Sequence, residues 1–271
     1  MIEIGEAYVL ARQMEDALTG KRVASASFLE APHKFCWVDD PVSAVSLLSG
    51  NTVFGAEQRG GRVILRFADG LLLAIGEDVS VRFEDPRREK TQMLLTFTDG
   101  SVLTARVRLY GFLSVGTEAQ LRENPYHAAN FDRPHPLHPA FTREHFYNLA
   151  GENCGLTLKG LLATKQNIPG VGNGTLHDIL FLAGLRPMTK VSVLREEQLS
   201  ALFDALVATV RAVAAAGGRS SFTDLFGNKG MYRELTGRTD GYCPVCGSAI
   251  TVKTYMGGKV RFCPTCQKDA A

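Results

Sequence analysis

The apolar positions near the start of the chain recur with a helical period. Ala7, Leu10, Ala11, Met14, Ala17 and Leu18 fall on one face, so Glu6–Leu18 is predicted to be a helix that pins the N-terminus to the body of the protein. From Lys21 to about Val115 the period shortens. Runs of β-branched and aliphatic residues alternate with turns, as in strands. Arg62–Phe67 and Leu71–Ile75 flank Ala68-Asp69-Gly70, and Gln92–Phe97 and Ser101–Val107 flank Asp99-Gly100. Each set predicts a hairpin, and together they predict an antiparallel sandwich. The charged run Glu84–Lys90 between them reads as a solvated loop.

Asn124–Pro139 contains Pro125, Pro134, Pro136 and Pro139 and reads as a linker that resists both helix and central strand. His135 and His138 have no cysteine or carboxylate cluster nearby and read as ordinary linker residues. Beyond it the pattern is helical: Phe141–Ala150, Leu156–Thr164, Asn173–Ala183, and a long amphipathic stretch, Glu196–Ala216, stopped by Gly217-Gly218. The short segment Phe222–Leu235 leads to the C-terminal unit. The predicted class is α+β, with an N-terminal helix and β-sandwich over 1–124, a linker over 125–140, a helical domain over 141–236 and a ribbon over 237–271.

The ribbon carries the most specific chemistry. Cys243-Pro-Val-Cys246 and Cys263-Pro-Thr-Cys266 are separated by sixteen residues. Each C-x-x-C knuckle offers two thiolates from one tight turn, a spacing suited to tetrahedral zinc. The stretch between them reads as a hairpin, Thr251–Tyr255 and Val260–Phe262, turning at Met256-Gly-Gly-Lys259. Two disulfides are the alternative in an oxidising compartment. The N-terminus lacks a signal-peptide pattern and no apolar run is long enough to span a bilayer, so the reading is cytosolic, which favours zinc. Cys36 and Cys154 read as ordinary small residues.

The net charge of +2 conceals an asymmetry: −3 over residues 1–150 and +5 over 151–271. The C-terminal half is the better partner for a polyanion. In it, Gln166-Asn-Ile-Pro-Gly170-Val-Gly172-Asn173-Gly174 joins two predicted helices. Closely spaced glycines let backbone N–H groups approach a ligand, and the following helix offers its N-terminus to an anion such as a DNA phosphate, with Lys159 and Lys165 nearby. A tight turn without a ligand fits the same residues.

Gly170-Val-Gly-Asn173, Asp178–Pro187 and the ribbon ending Phe262-Cys-Pro-Thr-Cys-Gln267 together resemble the formamidopyrimidine-DNA glycosylase/endonuclease VIII (Fpg/Nei) family along essentially the whole chain. The opening Met1-Ile2-Glu3-Ile-Gly-Glu6 is similar to the family's Met-Pro-Glu-Leu-Pro-Glu. The resemblance implies a β-sandwich, a helix–two-turn–helix module, a zinc-finger hairpin, a monomer, and a partner of damaged or abasic double-stranded DNA. It also implies base excision followed by abasic-site cleavage, begun by the N-terminal amine and assisted by a glutamate. Carried over, the catalytic positions are Met1, Ile2 and Glu3, the DNA contacts Arg108, Tyr110, Lys159, Asn173 and Lys259, and the zinc ligands Cys243, Cys246, Cys263 and Cys266.

The chain departs from the family where chemistry is done. Ile2 replaces the nucleophilic proline, and a bulky residue there favours retention of Met1. The family lysine falls on Gly61 or Arg62, and its void-filling methionine on Glu77. The backbone-gripping positions are largely kept. The sequence therefore reads as an active glycosylase and abasic-site lyase, with a non-cleaving binder of damaged, abasic or bent DNA as the alternative. A protein-contact role without DNA is a third reading.

Overall fold

The computed structural model describes residues 1–85, 90–237 and 241–268. Helix α1 spans Ile4–Leu18, and its apolar face, Ala7, Leu10, Ala11, Met14 and Leu18, is buried as its period requires. Strands β1 (Val23–Phe28), β2 (Cys36–Trp37), β3 (Gly55–Arg59), β4 (Arg62–Arg66), β5 (Leu71–Phe83), β6 (Met93–Phe97) and β7 (Val102–Thr117) form one seven-stranded sheet. Its path is β1-β6-β7-β5-β4-β3, with β2 paired in parallel to β7.

Two long strands make the sheet fold over. The first half of β5 pairs with β4 and with the end of β7, while its second half runs beside the start of β7, next to β6 and β1. The register breaks between Glu77 and Val79. Asp78 alone there faces Arg108, Leu109 and Tyr110, because Glu77 pairs with Gly111 and Val79 with Val107. Such a bulge bends the strand and pushes the surplus residues outward. Gly111 is required beside it, since a Cβ there would lie 2.4 Å from Val79 Cγ2. Apolar side chains from both halves, Leu65 and Ile75 with Val81 and Met93, share one core.

Helix α2 (Pro41–Leu48), capped by Asp40, lies inside the region read as strands. Helices α3 (Glu118–Glu123) and α4 (Pro125–Asp132) follow β7. The expected linker is therefore helical in its first half: Pro125 opens α4, where its missing N–H is of no consequence. His135 and His138 accept backbone N–H bonds through Nδ1 from Leu137 and Ala140, bracing a turn. Of the charged loop Glu84–Lys90, residues 86–89 lie outside the described residues.

The C-terminal half holds α5 (Arg143–Glu152), a π-helical turn at Gly160–Thr164, α6 (Asn173–Leu182) and α7 (Glu196–Ala215). Helix α7 is long and apolar enough to cross a membrane by length and composition alone, a test that a core helix also passes. Here it buries Leu202, Leu206, Val210 and Val213 and packs against α1, α5 and α6. Strands β8 (Thr251–Tyr255) and β9 (Gly258–Phe262) form the predicted antiparallel hairpin.

Candidate nucleic-acid interface

The first residues of the chain lie where the sheet meets the helices. The Ile2 N–H donates to the Glu77 carbonyl at 2.7 Å, and the Ile2 side chain is buried in the sheet core. The Met1 ammonium sits 2.8 Å from Asp78 Oδ1. The same oxygen accepts from Arg108 Nη2 at 2.7 Å and Nε at 3.2 Å. Burial alone would raise the Asp78 pKa, but the amino terminus and Arg108 outweigh it and hold the carboxyl below its usual range. Sequence reasoning missed Asp78. The available signal is Glu77-Asp78 itself, two acids inside an apolar strand.

Glu3 is buried and caps α6. Its carboxylate accepts from the Gly174 and Thr175 N–H groups at 2.9 and 3.0 Å and from the Thr175 hydroxyl at 2.5 Å, and pairs with Arg219 Nη1 at 3.2 Å. The α6 N-terminus does bind an anion, as its glycines suggest. That anion is the chain's own Glu3, which corrects the expectation of a DNA phosphate at these amides. Desolvation pushes the Glu3 pKa up, but Arg219 and the Thr175 and Gly174 bonds prevail and hold it below the ordinary carboxylate value. Glu6 is buried too and accepts from Arg219 Nε at 2.6 Å, while Arg219 Nη2 reaches the Met1 carbonyl at 2.9 Å. Arg219 thus ties both glutamates and the first residue together. Nothing in the sequence marks it, because its partners lie more than two hundred residues away.

Gly61 and Gly170 meet backbone to backbone: a Cβ on Gly61 would stand 2.7 Å from Gly170 Cα. The place of the family lysine is thereby filled by main chain. Arg62 is buried, pairs with Glu77 Oε1 at 2.9 Å and lies 5.3 Å over the Phe112 ring. Glu77 is accordingly folded back onto Arg62 rather than projecting as a wedge.

A cavity of about 740 Å³ opens above these groups. Met1, Glu77 and Tyr110 line one wall, and Lys159, Asn173 and Gly258 the other. Asn173 is exposed at the start of α6. Gly258 packs against it, since a Cβ there would lie 3.0 Å from Asn173 Nδ2 and 3.4 Å from Lys159 Nζ. The glycine turn and the hairpin turn, far apart in sequence, are neighbours. Lys159 is buried and donates to the Tyr255 carbonyl at 2.6 Å, so it holds the hairpin; burial lowers its pKa. Lys259 is exposed and lines a smaller recess of about 280 Å³ with Asn173, His177 and Arg261. Tyr110 is partly exposed, its hydroxyl 3.6 Å from Met1 Sδ; burial and the nearby Glu77 push its pKa up to about 12.

The sulfurs of Cys243, Cys246, Cys263 and Cys266 lie within 4.8 Å of one another. The separations of 3.4 Å (Cys246–Cys263) and 3.7 Å (Cys243–Cys266) exceed a disulfide bond of about 2.05 Å. They approach the edge, about 3.8 Å, of a tetrahedron with metal–sulfur distances of about 2.3 Å. The cluster thus fits one metal ion rather than two disulfides. It is docked on the helices by Gln267, which accepts from the Cys263 N–H at 2.8 Å and donates to the Leu185 carbonyl at 2.7 Å. Arg186 adds bonds to the Gln267 and Pro264 carbonyls. Asp178 fixes the segment before the ribbon by accepting from Tyr232, Leu235 and Thr236.

A folded sheet, a helical unit and a four-cysteine hairpin around one cleft define a class of architecture with known members. No protein-family model matches the chain. Curated relatives include formamidopyrimidine-DNA glycosylase of Lactococcus lactis subsp. cremoris, 24% identical over 277 residues, and that of Brevibacillus brevis, 26% over 283; both alignments span 99% of this chain and 100% of the relative. The solved MutM (Fpg) protein of Thermus thermophilus shares the fold at a TM-score of 0.85 and 24% identity, covering 99% of this chain and 100% of that one. A Lactococcus lactis Fpg in complex with DNA containing an abasic site matches at 0.85 and 24%, covering 98% and 100%. The chain is thus similar along its full length to formamidopyrimidine-DNA glycosylases in sequence, and it shares the fold of the solved Fpg proteins.

Proposed function

We propose that the protein is a DNA-repair protein of the formamidopyrimidine-DNA glycosylase family that engages damaged or abasic double-stranded DNA in the cleft above Met1. The observation that carries this reading is the cleft itself, which Met1 lines together with Asn173 and the hairpin turn of the ribbon. Lys259 and Asn173 take the phosphate backbone, and Arg108 and Tyr110 enter the space left by an everted nucleotide. Zinc on Cys243, Cys246, Cys263 and Cys266 holds the hairpin that presents Lys259; four thiolates suit that ion.

In the glycosylase and lyase reading, the Met1 nitrogen attacks the sugar C1′ carbon. At a damaged nucleotide the new carbon–nitrogen bond replaces the bond from C1′ to the base, the base leaves with a proton, and opening of the C1′–O4′ bond gives an imine; at an abasic site the aldehyde adds the amine and loses water to give the same imine. The amine must first lose a proton, and Asp78 Oδ1 is the acceptor in reach. Glu3 keeps the N-terminal segment in register with α6.

A second reading, binding without cleavage, is favoured by the Met1–Asp78 ion pair, which engages the amine within the protein, and by the saturation of Glu3. Borohydride reduction with an abasic duplex separates the two. A covalent adduct that disappears when the N-terminus is blocked supports the lyase. Tight binding with no adduct supports the non-cleaving reading. Failure to bind abasic duplex overturns both.

A further inference from the structure

Beside the cleft, two segments display apolar side chains to solvent. The bulge opposite Asp78 exposes 69% of Leu109 and 40% of Tyr110. The neighbouring strand β2 and the residue before it expose Phe35 and Trp37, at 47% and 44%. The segments are joined by main chain, since the Gly111 N–H donates to the Phe35 carbonyl at 2.9 Å and Trp37 pairs with Phe112. The Trp37 ring stacks on Phe112 with centroids 5.1 Å apart, and meets the Tyr110 ring edge-on at 6.4 Å. It is therefore braced from behind while nearly half of it stays exposed.

We propose that this ridge stacks an unpaired nucleobase of DNA on Trp37, with Leu109 as the wedge that opens the base step. Duplexes containing mismatched bases are then ligands even with no abasic site or damaged base. The proposal rests on the DNA-binding reading above and extends it to a separate contact. Two observations point to a base rather than to another apolar surface. Trp37 and Tyr110 line the same cavity as Met1 and Asn173, so the ridge is continuous with the cleft assigned to DNA. Cations also flank the rings: Lys34 Nζ lies 5.4 Å over Phe35, and the Arg108 side chain is 54% exposed beside Tyr110. Aromatic faces bordered by cations suit a base and its phosphates. An exposed apolar residue at the tip of a bulge suits insertion between bases.

Trp37 is the only tryptophan in the chain, so its emission reports on this ring alone. The protein is titrated with a duplex carrying a short run of mismatched thymines and with its fully paired counterpart. Saturable quenching by the mismatched duplex, well beyond that by the paired one, is expected. With fluorescently labelled DNA, Trp37→Leu weakens binding of the mismatched duplex by about ten-fold and leaves the paired duplex unchanged. Trp37→Phe restores most of the loss, which a merely unfolded variant would not do. Equal affinity of Trp37→Leu and the parent protein for the mismatched duplex overturns the proposal. If abasic duplex is still bound in that case, the functional reading above survives it. If the parent protein binds no DNA, both fall.

Discussion

Glu3 joins the start of the chain to a helix 171 residues away, and Arg219 pairs with both Glu3 and Glu6 at that joint. Removing one carboxylate from this buried network leaves the Gly174 and Thr175 N–H groups without their acceptor and Arg219 with one partner instead of two. Glu3→Ala should therefore lower unfolding stability by about 3–5 kcal/mol, read by urea denaturation. A loss below about 1 kcal/mol, the size of an exposed pair, would mean the joint is dispensable. Three histidines give a second prediction. Burial pushes His127, His135 and His177 down to about 4. Unfolded, each titrates near 6.5. Between those values the unfolded chain binds more protons, so stability is full above about 6.5 and declines as the pH falls toward 4. Melting temperature should fall across that window, and His177→Asn should flatten the fall. An unchanged slope in the variant would count against a neutral buried His177.

At the scale of elements, backbone crossings and the cysteine hairpin decide the site. Gly61→Ala forces a methyl against Gly170 Cα and should destabilise the protein and disturb the cleft together, seen as a lower melting temperature and weaker DNA binding. Gly61→Lys should do the same rather than restore a family lysine. Removing the metal proposed on the four cysteines with a chelator should unfold the hairpin and abolish DNA binding while the sheet keeps its melting transition, because the cysteines pack in a small cluster with Phe181 of α6, separate from the sheet core. Several of these elements are legible in the sequence. The apolar period of α1 and α7, the turns at Asp69-Gly70 and Asp99-Gly100, and the two knuckles are local signals, and the structure realises each of them. Helix α2 is less visible, since Val42 and Leu47 point to solvent and blur its period, although Asp40-Pro41 is a cap followed by a first-turn proline. The partners of Glu3, the bulge at Asp78 and the burial of Lys159 depend on contacts between distant segments. No local pattern encodes them. The same limit explains why the glycine turn suggests a phosphate where Glu3 sits.

For the whole molecule, the cleft unites groups from the first residue, the sheet, the helical turn and the ribbon. The basic C-terminal half supplies the wall with Lys159 and Asn173, next to the recess lined by Lys259, and the acidic N-terminal half supplies the amine with Asp78 beside it. Lys259→Ala should weaken binding to all duplexes and reduce the salt slope by about one, without loss of hairpin structure, because it removes one proposed phosphate contact. The most direct test of the account is the affinity for a duplex with one abasic site, set against the same duplex intact, across a salt series. Tighter binding of the abasic duplex is predicted, with the logarithm of affinity falling linearly as the logarithm of salt rises. Equal affinity for both duplexes, with no dependence on salt, would contradict it.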